Sequence, residues 1–384
     1  MTDLWERTTF GKVAKRRTET WTPGEPETTY IGLEHIGPYE LRLLGTGKSS
    51  EVSSNKTRFL AHDVLFGKLR PYFQKVVRPP FSGVCSTDIW ALYPVDDLQV
   101  DPGFLHWVVA DPAFSDFANS AETGTRMPRA SWQWVSTYEM ALPPPEEQRR
   151  IADVLDVLDE RIEVANHLVG LLSTAAQLLS ATAPNTCLVG DLASTERVQW
   201  SPERHLGDMV DHYSLPAFDK SLGAERVEAS EIASNKLLIR GPRVLFSRLN
   251  PDTNRTWLCV PAEDISASVC STEYAVLVAE STTVGQLWAV LSSGEVGDLL
   301  AAASTGTSAS HQRVREDALL SATVADPRSL SEDDQSAIDI YTNTVLEKMW
   351  ELKSLREARS FLLPRLVSGE LRVVAANEIL EVAN

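Results

Sequence analysis

The chain has 384 residues, 43% of them apolar and 23% charged, and a formal net charge of −17. That length predicts two or three domains, each able to bury a core of its own. No apolar run reads as a membrane span and the first residues lack a signal-peptide core; Cys85, Cys187, Cys259 and Cys270 form no C-x-x-C pair or zinc-type spacing. A cytoplasmic protein with reduced thiols and no metal centre is therefore expected. Such acidity opposes nucleic-acid binding, yet it is unevenly spread. Residues 1–80 hold 13 Lys/Arg against 9 Asp/Glu, a balance of +4 that leaves −21 for the remainder.

In chain order, residues 1–143 read as a mixed α/β globule. Gly45-Thr46-Gly47-Lys48-Ser49 ends like a phosphate-binding P-loop, but the first glycine of that pattern is replaced by Arg42, so a surface turn is the better reading. Asp63-Val64-Leu65-Phe66 and Asp88-Ile89-Trp90-Ala91-Leu92-Tyr93 are short apolar runs with Gly or Pro nearby, which predicts strands, and 103–119 predicts one short helix. A long helix then opens at Pro143-Pro144-Pro145-Glu146-Glu147, where a proline stop, a first-turn proline and N-terminal acids coincide. Its apolar residues fall at Ile151, Leu155, Leu158, Ile162, Ala165, Val169, Leu172, Ala176 and Leu179, and the run ends at Ala183-Pro184-Asn185. Alternation of four and three residues is the seam of a coiled coil.

Residues 184–328 read as a second globule, with strands at Arg243 to Phe246 and Tyr274 to Val278 and a short helix over 283–302. Asn250-Pro251-Asp252 shares two residues with the Asn-Pro-Pro-aromatic motif of amino-methyltransferases and lacks the rest. A second long helix begins at Ser331-Glu332-Asp333-Asp334, which resembles a capping box, and carries Ile338, Tyr341, Val345, Met349, Leu352 and Leu355 on a less regular seam. It is expected to break near Pro364, giving helices over 144–183 and 329–362 and a tail over 363–384. An antiparallel pairing of the two helices, each rising about 1.5 Å per residue, would set the globules on the order of 50 Å apart. A dimerisation or core helix pair is the plain alternative.

The two globules are copies. Trp21-Thr22-Pro23 recurs as Trp200-Ser201-Pro202, and Ser54-Asn55-Lys56 as Ser234-Asn235-Lys236. Val64-Leu65-Phe66 recurs as Val244-Leu245-Phe246, and Val84-Cys85-Ser86-Thr87 as Val269-Cys270-Ser271-Thr272. Thr123-Gly124-Thr125 recurs as Thr305-Gly306-Thr307, all at offsets from 179 to 185. The fold class is therefore α+β, mixed α/β globules in a tandem pseudo-two-fold repeat, separated by an antiparallel coiled coil. Such a duplication presents two related sites.

Two repeated features suit DNA contact. Phe66-Gly67-Lys68-Leu69-Arg70-Pro71 and Phe246-Ser247-Arg248-Leu249-Asn250-Pro251 place Lys68 with Arg70, and Arg248 with Asn250, on one side of an extended segment by period-two alternation. Cations neutralise phosphate, and Arg and Asn also reach guanine and adenine edges. The second feature is the Thr-Gly-Thr turn, with Thr123, Thr125, Arg126 and Arg129 in one copy and Thr305, Thr307, His311, Gln312 and Arg313 in the other. A common scaffold bearing different polar residues fits two different targets; a solvated strand edge and a plain loop fit as well. The histidines His35, His62, His106, His167, His205, His212 and His311 show neither ligand spacing nor a nucleophile partner, and no glycine-rich cofactor loop is present. No catalytic site is expected.

Leu142-Pro143-Pro144-Pro145-Glu146-Glu147-Gln148-Arg149-Arg150-Ile151 and Leu362-Leu363-Pro364-Arg365-Leu366-Val367-Ser368-Gly369-Glu370-Leu371 resemble segments of the specificity subunits of type I restriction–modification systems. These close a target-recognition domain with Leu-Pro-Pro-x-x-Glu-Gln-x-x-Ile and end near Leu-Leu-Pro-x-Leu-x-Ser-Gly-Glu-Ile. Together with the repeat, the resemblance covers essentially the whole chain. It implies a non-catalytic reader of a bipartite double-stranded DNA site, whose helices set the spacer and dock two methyltransferase subunits, Glu147, Gln148, Arg150 and Gln335 being the docking candidates. S-adenosylmethionine, ATP and Mg would belong to the methyltransferase and restriction subunits and none to this chain. The start of the second helix, Val324 to Gln335, departs from the pattern and keeps a proline, acids and the Gln. The alternatives are a specificity module of another phage-defence system and a coiled-coil scaffold that binds only proteins.

Overall fold

The Val-Leu-Phe strand explains why both globules are layered as they are. Three consecutive apolar residues, rather than an alternation, mark a strand buried on both faces. In the computed structural model, which describes residues 5–120, 127–220, 223–261, 265–302, 313–374 and 376, Val244 and Phe246 face a cluster containing Leu287, Leu291, Ala176 and Ile338. Leu245 faces the opposite cluster, with Tyr213, Trp257, Cys270 and Tyr274. Each strand therefore lies between a helical layer and a second sheet.

The chain divides into two units, residues 1–161 with 355–384, and residues 162–354. In the first unit, Glu6–Thr9 pairs with Glu139–Leu142. A four-stranded antiparallel sheet runs in the order Ala14–Arg16, Ile89–Pro94, Val64–Gly67, Val76–Val77. A five-stranded sheet runs Thr20–Trp21, Lys56–Phe59, Gly83–Cys85, Thr29–Ile31, Gly47–Lys48, and its Gly83–Cys85 and Thr29–Ile31 strands are parallel. The second unit repeats every pairing. Thr186–Leu188 joins Thr323–Ala325, and the four-stranded order is Ala193–Glu196, Tyr274–Ala279, Arg243–Ser247, Thr256–Cys259. Its five-stranded order is Gln199–Trp200, Lys236–Ile239, Ala267–Cys270, Met209–Tyr213, Glu225–Glu228, again with one parallel pair.

Where one short helix is expected per globule, two occur. Pro102–Ala110 stops at Asp111, because Pro112 disfavours helical geometry in the residue before it, and Pro112–Ser120 follows. In the second unit Val284–Leu291 and Gly294–Ala302 are divided at Ser292-Ser293. Asp101 caps the first of these helices by accepting from Phe104 N–H at 3.0 Å, and Thr283 caps its counterpart by accepting from Gln286 N–H at 3.1 Å.

The long helices span Pro145–Ala181 and Glu332–Ser368. Ile151, Leu155, Leu158, Ile162, Ala165 and Ala176 of the expected seam are buried. Within the first unit, Glu147 lies 3.8 Å from Arg372 and Asp159 pairs with Arg359, so one segment ascends as the other descends and the pairing is antiparallel. The irregular seam of the second helix has a simple cause. Ile338, Val345, Leu352, Arg359 and Leu366 are all buried at seven-residue steps, and the arginine is accommodated by its partner Asp159. Contrary to expectation, this helix passes through Pro364. Burial of Leu362, Leu363, Leu366 and Val367, at about 1.5–3 kcal/mol each, outweighs a proline cost of about 3 kcal/mol. Gly369, at φ 78°, ends it.

The first long helix corrects another expectation, since one 18-residue window reaches a mean hydropathy of 1.2, enough by composition to cross a membrane. Residues 164–181 contain no Asp, Glu, Lys or Arg, but they intersperse Asn166, Ser173, Thr174 and Gln177 and bury Ala165, Ala176 and Ser180. Only 17% of that window is buried, so length and composition are all that it shares with a membrane span.

Each unit is fastened to its long helix through a glycine. A Cβ on Gly103 would lie 3.0 Å from Ala152 Cβ and 2.9 Å from Arg78 Nη1, and one on Gly285 would overlap the Thr342 hydroxyl. Gly285→Ala is therefore expected to lower unfolding stability by about 1–3 kcal/mol, and adding Thr342→Ala to recover part of the loss. Chemical denaturation of the four chains of this cycle checks the contact; strictly additive losses would refute it.

Candidate nucleic-acid interface

Three segments that are distant in sequence meet in each unit. Ser86 turns the chain from the five-stranded to the four-stranded sheet: its N–H donates to Ile31 O, its carbonyl accepts from Ile89 N–H, and its hydroxyl accepts from Asp88 N–H at 3.3 Å. Asp88 O accepts from Lys68 N–H at 2.9 Å, Lys68 O accepts from Ala130 N–H at 2.8 Å, and Leu69 forms a β-bridge with Arg129. The second unit uses the same atoms. Ser271 Oγ accepts from Glu273 N–H, Glu273 O from Arg248 N–H, and Arg248 O from Val314 N–H, and Leu249 bridges Arg313. The strand-turn segment and the segment following the Thr-Gly-Thr turn, separate candidates in the sequence, are thus one structure.

The side chains repeat one theme. Arg129 Nε and Nη2 donate to the two Asp88 carboxylate oxygens at 3.1 and 3.4 Å, and Arg313 Nη2 donates to Glu273 at 2.6 Å. Both arginines are more than half exposed. Asp88 and Glu273 were not legible as site residues, although each directly follows the Val-Cys-Ser-Thr framework match. Thr123, Thr125 and Arg126, and Thr305, Thr307, His311 and Gln312, lie outside the described residues.

The alternation expected for residues 68–70 and 248–250 fails at its third residue. The strands end at Gly67 and Ser247, and Arg70 and Asn250 take left-handed backbone angles, with φ 52° and 48°, before Pro71 and Pro251 open a short 3-10 turn. Gln74 and Asn254 close those turns, also left-handed, at φ 48° and 40°. Arg70 Nε, Arg248 Nε and Asn250 Oδ1 are buried with no hydrogen-bond partner among the described residues. Lys68 has no ion-pair partner among them, whereas Arg248 is held by Thr272 O at 2.7 Å and Glu316 at 3.3 Å.

Other sequence motifs prove to be framework. The lysines of the repeated Ser-Asn-Lys motif, Lys56 and Lys236, each donate to the carbonyl and hydroxyl of the serine two residues before. Gly47–Lys48 is a strand pairing with Thr29–Tyr30, followed by the one-turn Ser49–Glu51, so no phosphate cradle forms there. Burial pushes the Cys85 and Cys259 thiols up to about 12 and the Cys270 thiol higher still, and the His106 imidazole down to about 3. These groups stay neutral and unreactive in the core. No group of metal-ligating residues occurs among the described residues.

Of the docking candidates, Gln148 is fully buried and its amide is saturated. Oε1 accepts from Asp101 N–H at 2.8 Å, and Nε2 donates to Gln99 O and Pro143 O at 2.9 and 2.8 Å. Gln335 donates to Leu330 O at 3.0 Å, the same five-residue step back. Both glutamines fix the start of a helix. Glu147 is largely covered, between Arg150 and Arg372, while Arg150 is 58% exposed.

No family model matches the chain. Among curated proteins it is similar to the type I restriction enzyme EcoDI specificity subunit of Escherichia coli, 27% identical over 187 residues, which is 47% of this chain. The match spans 41% of that subunit's own length. Among solved structures, the S subunit of a type I restriction–modification system from M. genitalium aligns over 94% of this chain and 96% of its own, with a TM-score of 0.56 at 13% identity. The HsdS subunit from Thermoanaerobacter tengcongensis aligns over 96% and 97%, with a TM-score of 0.39 at 17% identity. The M. genitalium alignment shows that this chain has the S-subunit fold.

Replacing Gln148 with Ala strands three backbone groups and is expected to cost about 3 kcal/mol. Asp88→Asn, which breaks an exposed pair, is expected to cost under about 1 kcal/mol. Denaturant midpoints rank the two; a Q148A chain as stable as D88N would show the buried amide to be dispensable.

Proposed function

We propose that this chain, with the fold of a type I specificity subunit, is a non-catalytic DNA reader that recognises a bipartite duplex site and recruits adenine methyltransferase subunits to it. The observation that carries the proposal is the repeated three-segment interface. Identical backbone bonds hold Arg129 against Asp88 and Arg313 against Glu273, while the neighbouring side chains differ. Fixed frame and variable side chains suit the reading of two different half-sites. Lys68, Arg70, Arg248 and Asn250, together with the Thr-Gly-Thr segments, remain the proposed contacts, and the long helices the element that sets the spacer. The similarity to the EcoDI subunit supports the same reading. S-adenosylmethionine, ATP and Mg would act in the methyltransferase and motor-nuclease partners, in the cytoplasm.

Docking of the methyltransferase is proposed for the first long helix. Beside its buried seam it carries a second apolar row at seven-residue steps, in which Val164, Leu171 and Leu178 are 60%, 54% and 65% exposed. A heptad row left open to water fits a partner helix, and Arg150 extends the surface with charge. The saturated Gln148 and the tethered Gln335 would act indirectly, by fixing where each helix starts.

The test of DNA reading is methylation mapping with the chain assembled on its methyltransferase subunits. One bipartite adenine-methylation motif is expected, lost when the chain is deleted. Arg129→Ala and Arg313→Ala should each relax recognition of one half-site, and not the same half. Loss of neither half, or duplex affinity without salt dependence, would favour a scaffold that binds only proteins. Docking has its own readout: Leu171→Glu should abolish co-purification with the methyltransferase while leaving the helical circular dichroism unchanged. Retained co-purification would remove the exposed row from the interface.

A further inference from the structure

The two units have the same backbone and different electrostatics at one place, the edge of the four-stranded sheet. In the first unit the short helix Phe10–Val13 and the edge strand Ala14–Arg16 carry Lys12, Lys15 and Arg16. All three are exposed, and none has an ion-pair partner among the described residues. The matching helix Val189–Leu192 and strand Ala193–Glu196 place Asp191, Ser194 and Thr195 at those positions. The contrast extends to the interface. Arg16 lies over the Trp132 ring, 5.6 Å from its centroid, and Trp132 follows Arg129 by three residues and packs edge-on against Trp90. At the position of Trp132 the second unit has Glu316, which instead pairs with Arg197 at 3.9 Å and Arg248 at 3.3 Å.

We propose that Lys12, Lys15 and Arg16 form a phosphate-binding ridge that grips the duplex backbone beside the first half-site, and that the second unit has no counterpart. This rests on the DNA-reading proposal and assigns the sequence-independent part of the affinity mainly to one unit. Unpaired, exposed cations in a chain of net charge −17 have a polyanion as their natural complement. Protection of an open sheet edge by charge is the competing explanation. The second unit argues against it, because its edge strand manages with Ser194 and Thr195. Trp132 adds a reason for the geometry: an arginine resting on an indole face is laterally fixed, with its N–H groups free to meet phosphate.

The experiment compares the wild-type complex of chain and methyltransferase with a complex carrying K12Q, K15Q and R16Q, on the mapped bipartite duplex and on an unrelated duplex, across a salt series. Three lost phosphate contacts should make the slope of log affinity against log salt shallower by about 2.7. Between 50 and 200 mM salt the variant should thus lose roughly 40-fold less affinity than the wild type. The change should be equal on both duplexes, with an unchanged methylation motif and thermal midpoint. A wild-type slope retained by the triple variant would overturn the ridge and leave the reading of the bipartite site intact. A wild-type complex that binds no bipartite duplex would overturn both.

Discussion

The contact on which each unit depends is the close seat of its first short helix on a long helix. Glycine makes that seat possible: Gly103 meets Ala152 in one unit, and Gly285 meets Thr342 in the other. From there, order can be followed to the interface. In the second unit Asn254 Nδ2 donates to Leu291 O and Ser293 O at the junction of the two short helices, and Gly297 lies so close to Pro251 O that a Cβ there would fall 2.7 Å from it. Asn250, Pro251 and Asn254 are thereby fixed by elements that are themselves fixed on the long helix. A turn with two left-handed non-glycine residues costs backbone energy and persists because its surroundings determine it. Such rigidity is what a reader of base edges requires, since side chains presented from a settled frame lose less entropy on binding.

The duplication shows which interactions the frame demands and which it leaves open. Arg17 and Asp63 form an ion pair in the first unit, at 2.9 Å, with Asp63 buried. At the same two positions the second unit has Glu196 and Arg243, paired at 3.2 Å. The charges have changed places and the bond has survived, so packing selects a complementary pair at this junction without selecting its polarity. Trp132 and Glu316 behave otherwise. They occupy one backbone position without preserving any interaction, which marks that position as free to specialise.

Much of this frame was legible because it rests on local chemistry. The strands, the two long helices and the matched segments follow from apolar periodicity, proline placement and repetition, and among the described residues the structure keeps four of the five segments and both helices, the second running on through Pro364 to Ser368. What was not legible depended on neighbours distant in sequence. Periodicity cannot weigh the burial of Leu362 and Leu366 against Pro364, nor foresee that Arg359 occupies a heptad position because Asp159 receives it. Period-two alternation failed at Arg70 because the following proline imposes a turn. Asp88 read only as the first residue of a strand run, and nothing singled out Glu273, until the fold brought Arg129 and Arg313 to them. Gln148 was chosen for its motif, and the motif proves to record a buried hydrogen-bond network rather than an exposed contact.

The acidity that first opposed DNA binding loses its force once pairing is considered. In the second unit Arg226, Arg243 and Arg255 are each engaged by a carboxylate. Their charge is spent on the fold, and the acids that engage them are equally occupied. In the first unit Arg17, Arg78 and Arg129 are paired, but Lys12, Lys15, Arg16 and Lys68 have no ion-pair partner among the described residues. An unpaired acid elsewhere on the surface acts on an approaching phosphate only within the Debye length, about 8–10 Å at physiological salt. Net charge is a sum over distances at which solvent has already screened the interaction. What a polyanion meets is the local balance at the surface it approaches, and at the edge of the four-stranded sheet the two units differ: one presents Lys12, Lys15 and Arg16, and the other Asp191, Ser194 and Thr195. A bipartite reader built this way need not draw its affinity evenly from its halves, even though one frame builds both.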